Sequence, residues 1–64
     1  MAMTLKGARA NADLTQIEVC KALKIGKTTL ISYEKYRTIP DVTMAQKIAD
    51  LYGMSLDDIK WENE

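Results

Sequence analysis

The sequence predicts an all-α fold, a compact domain of five short helices over residues 1–61. Three observations carry this. Apolar residues recur three and four positions apart, the spacing of helices with one buried face. Residues able to cap a helix start precede those stretches at Thr4, Thr15, Asp41 and Ser55. Breaks separate them at Asn11-Ala12-Asp13, Lys24-Ile25-Gly26, Ile39-Pro40 and Gly53.

The first helix opens at Thr4 and turns Leu5, Ala8 and Ala12 inward, with Gly7 a weak point in it. Leu14 is a core residue just ahead of the second helix. There Thr15 with Glu18 forms a capping-box signature, and Val19, Cys20 and Leu23 follow on one face. Cys20 reads as a small residue where two helices approach, since a reactive thiol would need exposure and a depressed pKa. Ile17 is either a partly exposed apolar side chain or an extra contact.

The turn Lys24-Ile25-Gly26 plugs the core with Ile25 and offers Gly26 as the next N-cap. The third helix starts at Lys27 and puts Leu30 and Tyr33 on one face. At about 100° per residue, Thr28, Ile31, Ser32 and Lys35 fall on the other. Tyr36-Arg37-Thr38 is a loop, with Ile39 forced extended by Pro40. Asp41 caps a fourth helix whose inward stripe is Val42, Ala45, Ile48, Ala49 and Tyr52, and Gly53 ends it. Ser55, with Asp58 at the box position, opens a fifth that buries Leu56 and Ile59. Trp61 follows, then a frayed acidic tail at 62–64.

Composition narrows the function. A chain of 64 residues has a marginal core. Its single cysteine forms no internal disulfide, and without histidine a zinc site has almost no ligands, so neither a metal nor a cofactor is expected. No apolar run resembles a signal peptide or spans a bilayer, so a cytoplasmic protein with no membrane partner is expected. An enzyme finds no support: there is no Gly-rich phosphate loop and no nucleophile–base pair, and Asp57-Asp58 are ordinary helix-start acids. Net charge is zero, yet residues 1–38 carry seven basic and three acidic side chains, and residues 39–64 two basic and six acidic, giving +4 and −4.

Leu14-Thr15-Gln16, the Val19-Cys20 pair, Tyr33-Glu34, Pro40 and Gly53-Met54-Ser55-Leu56 together resemble the Cro and phage-repressor (Xre) family of helix-turn-helix proteins, over roughly Leu5 to Ile59. One departure is Lys24, where the family usually has glycine. A left-handed residue other than glycine costs about 1 kcal/mol. The resemblance implies a phage-repressor type of fold, with helices two and three as the helix-turn-helix, and a repressor acting as a homodimer on double-stranded DNA. It pairs Arg9 with Glu34 as a structural ion pair and puts Gln16 on a DNA phosphate, against the plainer reading of Gln16 as a solvent-facing helix starter. It forms the dimer near the C-terminal end, setting two third helices about 34 Å apart for successive major grooves.

The outward face of the third helix suits such a groove, where hydroxyls hydrogen-bond to base edges and an alkyl group meets a thymine methyl. Lys27, Thr28, Ile31 and Ser32 are the base-reading candidates. Gln16, Thr29, Lys35, Arg37 and Thr38 are the phosphate candidates. Leu51, Met54 and Trp61 are the dimer-contact candidates, with Trp61 as a lid folded on its own core the competing reading. The rival function is a protein-interaction module, antitoxin-like or an adaptor, whose acidic C-terminal half holds a partner. The chain has no room for a ligand-sensing domain, so no small-molecule ligand is expected and a regulatory protein partner would supply control.

Overall fold

The computed structural model describes residues 2–62. Four α-helices follow in order: α1 (Leu5–Asn11), α2 (Gln16–Leu23), α3 (Lys27–Glu34) and α4 (Val42–Tyr52), then a single 3-10 turn at Leu56–Asp58. Side chains set three of the four starts. Thr4 Oγ1 accepts from the Gly7 N–H at 3.0 Å, and Asp41 Oδ1 from the Met44 N–H at 2.8 Å. At α2 the box is reciprocal: Thr15 Oγ1 accepts from the Glu18 N–H at 3.1 Å, and Glu18 Oε1 from the Thr15 N–H at 2.8 Å. Only α3 begins without a side-chain cap, at Gly26.

All four helices end on a left-handed residue: Asp13 (φ 63°), Lys24 (58°), Tyr36 (60°) and Gly53 (68°). In each case the next residue's N–H reaches back five positions, Leu14 to Arg9 O, Ile25 to Cys20 O, Arg37 to Ser32 O and Met54 to Ala49 O, at 2.9–3.2 Å. These are Schellman closures, which satisfy carbonyls the helix would otherwise strand. Lys24 therefore takes the left-handed turn without being glycine.

The closures fold the helices around Leu5, Ala8, Val19, Leu30, Ile48, Ala49, Tyr52 and Ile59, all buried. Full burial of one such aliphatic side chain is worth about 1.5–3 kcal/mol. α1 packs on α3 and α4, α2 packs on α3 and α4, and the 3-10 turn sits against α4.

Two expectations are corrected. Among the described residues there is no fifth α-helix, only the 3-10 turn at Leu56–Asp58. The Ser55 hydroxyl donates to Asp58 Oδ2 at 3.1 Å instead of capping a backbone amide. The Asp58 carbonyl is taken by the Met3 N–H at 2.9 Å, and the Lys60 N–H donates to the Met3 carbonyl at 2.7 Å. Beyond one turn the chain is drawn into a parallel bridge between Met3 and Ile59, so no further helical turn forms. Val42 is not part of the inward stripe but 79% exposed. It is the first residue of α4, and a helical side chain leans toward its own N-terminus, so Val42 overhangs the helix start where no core remains beneath it. Pro40 is buried at that end instead. Of the expected frayed tail, Glu62 is exposed, and Asn63 and Glu64 lie outside the described residues.

Candidate nucleic-acid interface

α3 is fixed from within by Leu30, buried beneath it, by Tyr33 against the core, and by Glu34 at its last position. A carboxylate at a helix C-terminus faces the negative end of the dipole and needs compensation. Arg9 on α1 supplies it. Its Nε lies 2.6 Å from Glu34 Oε2, with the two side chains 13% and 5% exposed. Gln16 Nε2, at the start of α2, donates to Glu34 Oε1 at 3.1 Å, and Arg9 Nη1 donates to the Leu14 carbonyl at 3.0 Å. One carboxylate thus ties α1, the entry to α2 and the end of α3 together, an arrangement that fixes orientation more than it adds net stability.

With those anchors inward, the other side of α3 keeps a solvent face. Lys27, Thr28, Thr29 and Lys35 are exposed, and Ile31 and Ser32 are half-buried. Gly26 brings no side chain to the helix start, and no acidic residue occupies the first turn. The first amides of α3 therefore present the positive end of the dipole beside the Lys27 ammonium. A shallow groove runs between the starts of α2 and α3, lined by Arg9, Leu14, Thr15, Gln16, Ile17 and Lys27. It joins a phosphate candidate, Gln16, to a base-reading candidate, Lys27. Ile17 is 58% exposed on its wall.

Arg37 and Thr38 are exposed past the far end of α3. The three dimer-contact candidates are all half-buried against the chain's own core. Trp61 donates its indole N–H to the Leu56 carbonyl at 2.9 Å, and Leu51 lines an open groove with Ala22, Leu23, Lys47 and Asp50.

Among the described residues two ionisable groups are shifted. Burial, helped by the negative charge of Glu34, pushes the Tyr52 hydroxyl up to about 12, and that hydroxyl is buried with no hydrogen-bond partner. The Thr15 backbone N–H, then its hydroxyl, holds the Glu18 carboxyl below its ordinary value. Among the described residues no group of three His, Cys, Asp or Glu could hold a metal ion, and no helix is long and apolar enough to cross a membrane.

Sequence reasoning missed two contributors. Gln16, expected on a phosphate, also reaches Glu34 with its amide, a contact for which the sequence carries no signal. Tyr36 lies in the expected loop, and its hydroxyl accepts from the Leu5 N–H at 3.2 Å and donates to the Lys60 carbonyl at 3.0 Å. Both partners are backbone groups distant in sequence, which no local pattern encodes.

The chain is similar to known proteins over most of its length. The family model described as Helix-turn-helix matches residues 5–59. The chain is similar to the cryptic phage CTXphi transcriptional repressor RstR of Vibrio cholerae, 30% identical over 60 residues, covering 94% of this chain and 54% of that one. It is similar to the HTH-type transcriptional regulator ImmR of Bacillus subtilis, 37% identical over 60 residues, covering 94% of this chain and 47% of that one. An uncharacterised HTH-type transcriptional regulator of Methanocaldococcus jannaschii is 38% identical over 55 residues, 86% of this chain and 83% of its own. The chain thus spans about half the length of the two bacterial relatives. No solved structure matches it. With its four helices, its α2–turn–α3 unit and a match over nearly its whole length, the chain belongs to the Xre-type helix-turn-helix family.

Proposed function

We propose that the chain is a sequence-specific DNA-binding transcriptional regulator, a repressor acting as a homodimer on an inverted-repeat operator. The observation that carries this reading is the face of α3: hydroxyls and lysines turned to solvent on a helix whose opposite side is pinned by Leu30 and the Arg9–Glu34 pair. The repressor and regulator names of its relatives support it.

α3 enters a major groove by its N-terminal end. Lys27 addresses guanine O6 and N7, Thr28 and Ser32 hydrogen-bond to base edges, and Ile31 rests on a thymine methyl. Gln16, Thr29, Lys35, Arg37 and Thr38 hold phosphates on either side. The Gln16 amide carries two hydrogens, so it can keep Glu34 with one and offer a phosphate the other. The dimer forms through the outer edges of Leu51, Met54 and Trp61. The basic N-terminal half faces DNA and the acidic half faces away, which orients approach and makes affinity depend on salt.

Selection of bound DNA from a random pool at physiological salt tests all of this together. An enriched inverted repeat is expected. No enrichment, no salt-dependent retardation and a stoichiometric protein partner on purification would instead make the chain an interaction module.

A further inference from the structure

The ends of the four helices differ in one respect. After α1, α2 and α4 the residue following the left-handed position is apolar and packs on the core: Leu14, Ile25 and Met54. Such a contact normally secures a Schellman closure. After α3 it is Arg37, which is exposed and contributes no such anchor. The left-handed residue itself is Tyr36, at φ 60°. A bulky aromatic there is strained where glycine would not be, and strain of this kind persists where the surroundings hold it. The surroundings are the core, against which its ring packs half-buried, and its hydroxyl bonds to the Leu5 N–H and the Lys60 carbonyl, next to the bridge that joins Met3 to Ile59.

Building on the DNA-binding reading above, we propose that Tyr36 is the positioning residue for the Arg37–Thr38 phosphate contact: its hydroxyl, clasped between the two ends of the chain, replaces the apolar anchor that Arg37 gives up. The closure of α3 can then spend its outer residue on DNA and still hold the loop at a fixed place. The amide of Arg37 stays bonded to the Ser32 carbonyl at 2.9 Å, so the clasp also fixes that loop relative to a base-reading residue.

The test compares wild type, Tyr36→Phe, Tyr36→Gly, Arg37→Ala and Tyr36→Phe/Arg37→Ala on the selected DNA over a range of salt. Circular dichroism checks that each is folded. Tyr36→Phe keeps the strained backbone and the ring's packing and loses only the two bonds, whereas Tyr36→Gly relieves the strain and loses the bonds and the packing together. Both are expected to weaken binding and lower the salt slope by about one unit, as Arg37→Ala does, and the double variant should bind no worse than Arg37→Ala. Wild-type slope and affinity in folded Tyr36→Phe or Tyr36→Gly would overturn the proposal, as would an effect that adds in full to that of Arg37→Ala. If wild type itself shows no salt-dependent binding, the DNA reading fails, and this proposal with it.

Discussion

Glu34 holds three parts of the fold through one carboxylate, so a single substitution there should be costly. Glu34→Ala removes the acceptor for two donors at once, the Arg9 guanidinium and the Gln16 amide. Arg9 is then left 87% buried with only the Leu14 carbonyl as partner. Breaking one half of a buried pair costs about 3–5 kcal/mol, because the remaining charge has lost both water and its counterion. A core this small rarely supplies more than about 3–5 kcal/mol in total. Glu34→Ala and Arg9→Ala should therefore both leave the chain near or past the midpoint of unfolding at 25 °C. The double replacement Arg9→Met/Glu34→Leu fills the same space with apolar groups, and such exchanges are often neutral or stabilising by about 1–4 kcal/mol. Urea unfolding followed by far-UV circular dichroism measures all of these. The double variant should be several kcal/mol more stable than either alanine variant. A loss under about 1 kcal/mol in the single variants, the value of an exposed pair, would refute the reasoning.

Other consequences are separable by assay. Arg37→Ala should weaken binding to every DNA sequence and flatten its salt dependence, whereas Ser32→Ala should change preference at one base position; equal, sequence-blind effects would show the roles to be misassigned. Thr15→Ala should cost about 1 kcal/mol in urea unfolding by removing the α2 cap. Glu18 is held below its ordinary 4.5, so its contribution is present above that value and fades as pH falls through the lowered one. Thr15→Ala should remove only the hydroxyl's share of that acid dependence, because the backbone N–H that donates to Glu18 stays, whereas Glu18→Gln should abolish all of it. Tyr52 is raised from 10.0 to about 12, so the neutral hydroxyl contributes fully below pH 10 and its contribution is lost as pH climbs through 12. Tyr52→Phe should be neutral or slightly stabilising near pH 7, since the hydroxyl has no partner. Above pH 10 it should retain about 2–3 kcal/mol that wild type loses, and parallel alkaline curves for the two would contradict this.

The helix starts were legible because their chemistry is local. A hydroxyl or carboxylate that bonds the amide three residues on leaves its mark in a four-residue window, and Thr4, Thr15 and Asp41 are all found that way. Helix ends were not equally legible. Their usual mark is glycine, and only Gly53 of the four left-handed residues carries it. Asp13, Lys24 and Tyr36 reach the same conformation because the hydrogen bond behind each and the packing around it outweigh a local cost of about 1–2 kcal/mol. The fifth helix failed for the related reason that its evidence was also local. Ser55 and Asp58 fit a box, but Met3 offers Asp58 and Lys60 backbone partners across the whole length of the chain, and those bonds lead away from a helix. The face of α3 sits between these limits. Helical period places Thr28 and Lys35 toward solvent, because about two turns of helix are rigid enough to carry direction over seven residues. Period alone could not show how far Ile31 and Ser32 sink, which depends on how α3 leans on α1 and α2. That lean is held at one end by Glu34 and beyond it by Tyr36. If the DNA reading is right, affinity should then respond to changes at these two residues even though neither side chain is assigned a DNA contact.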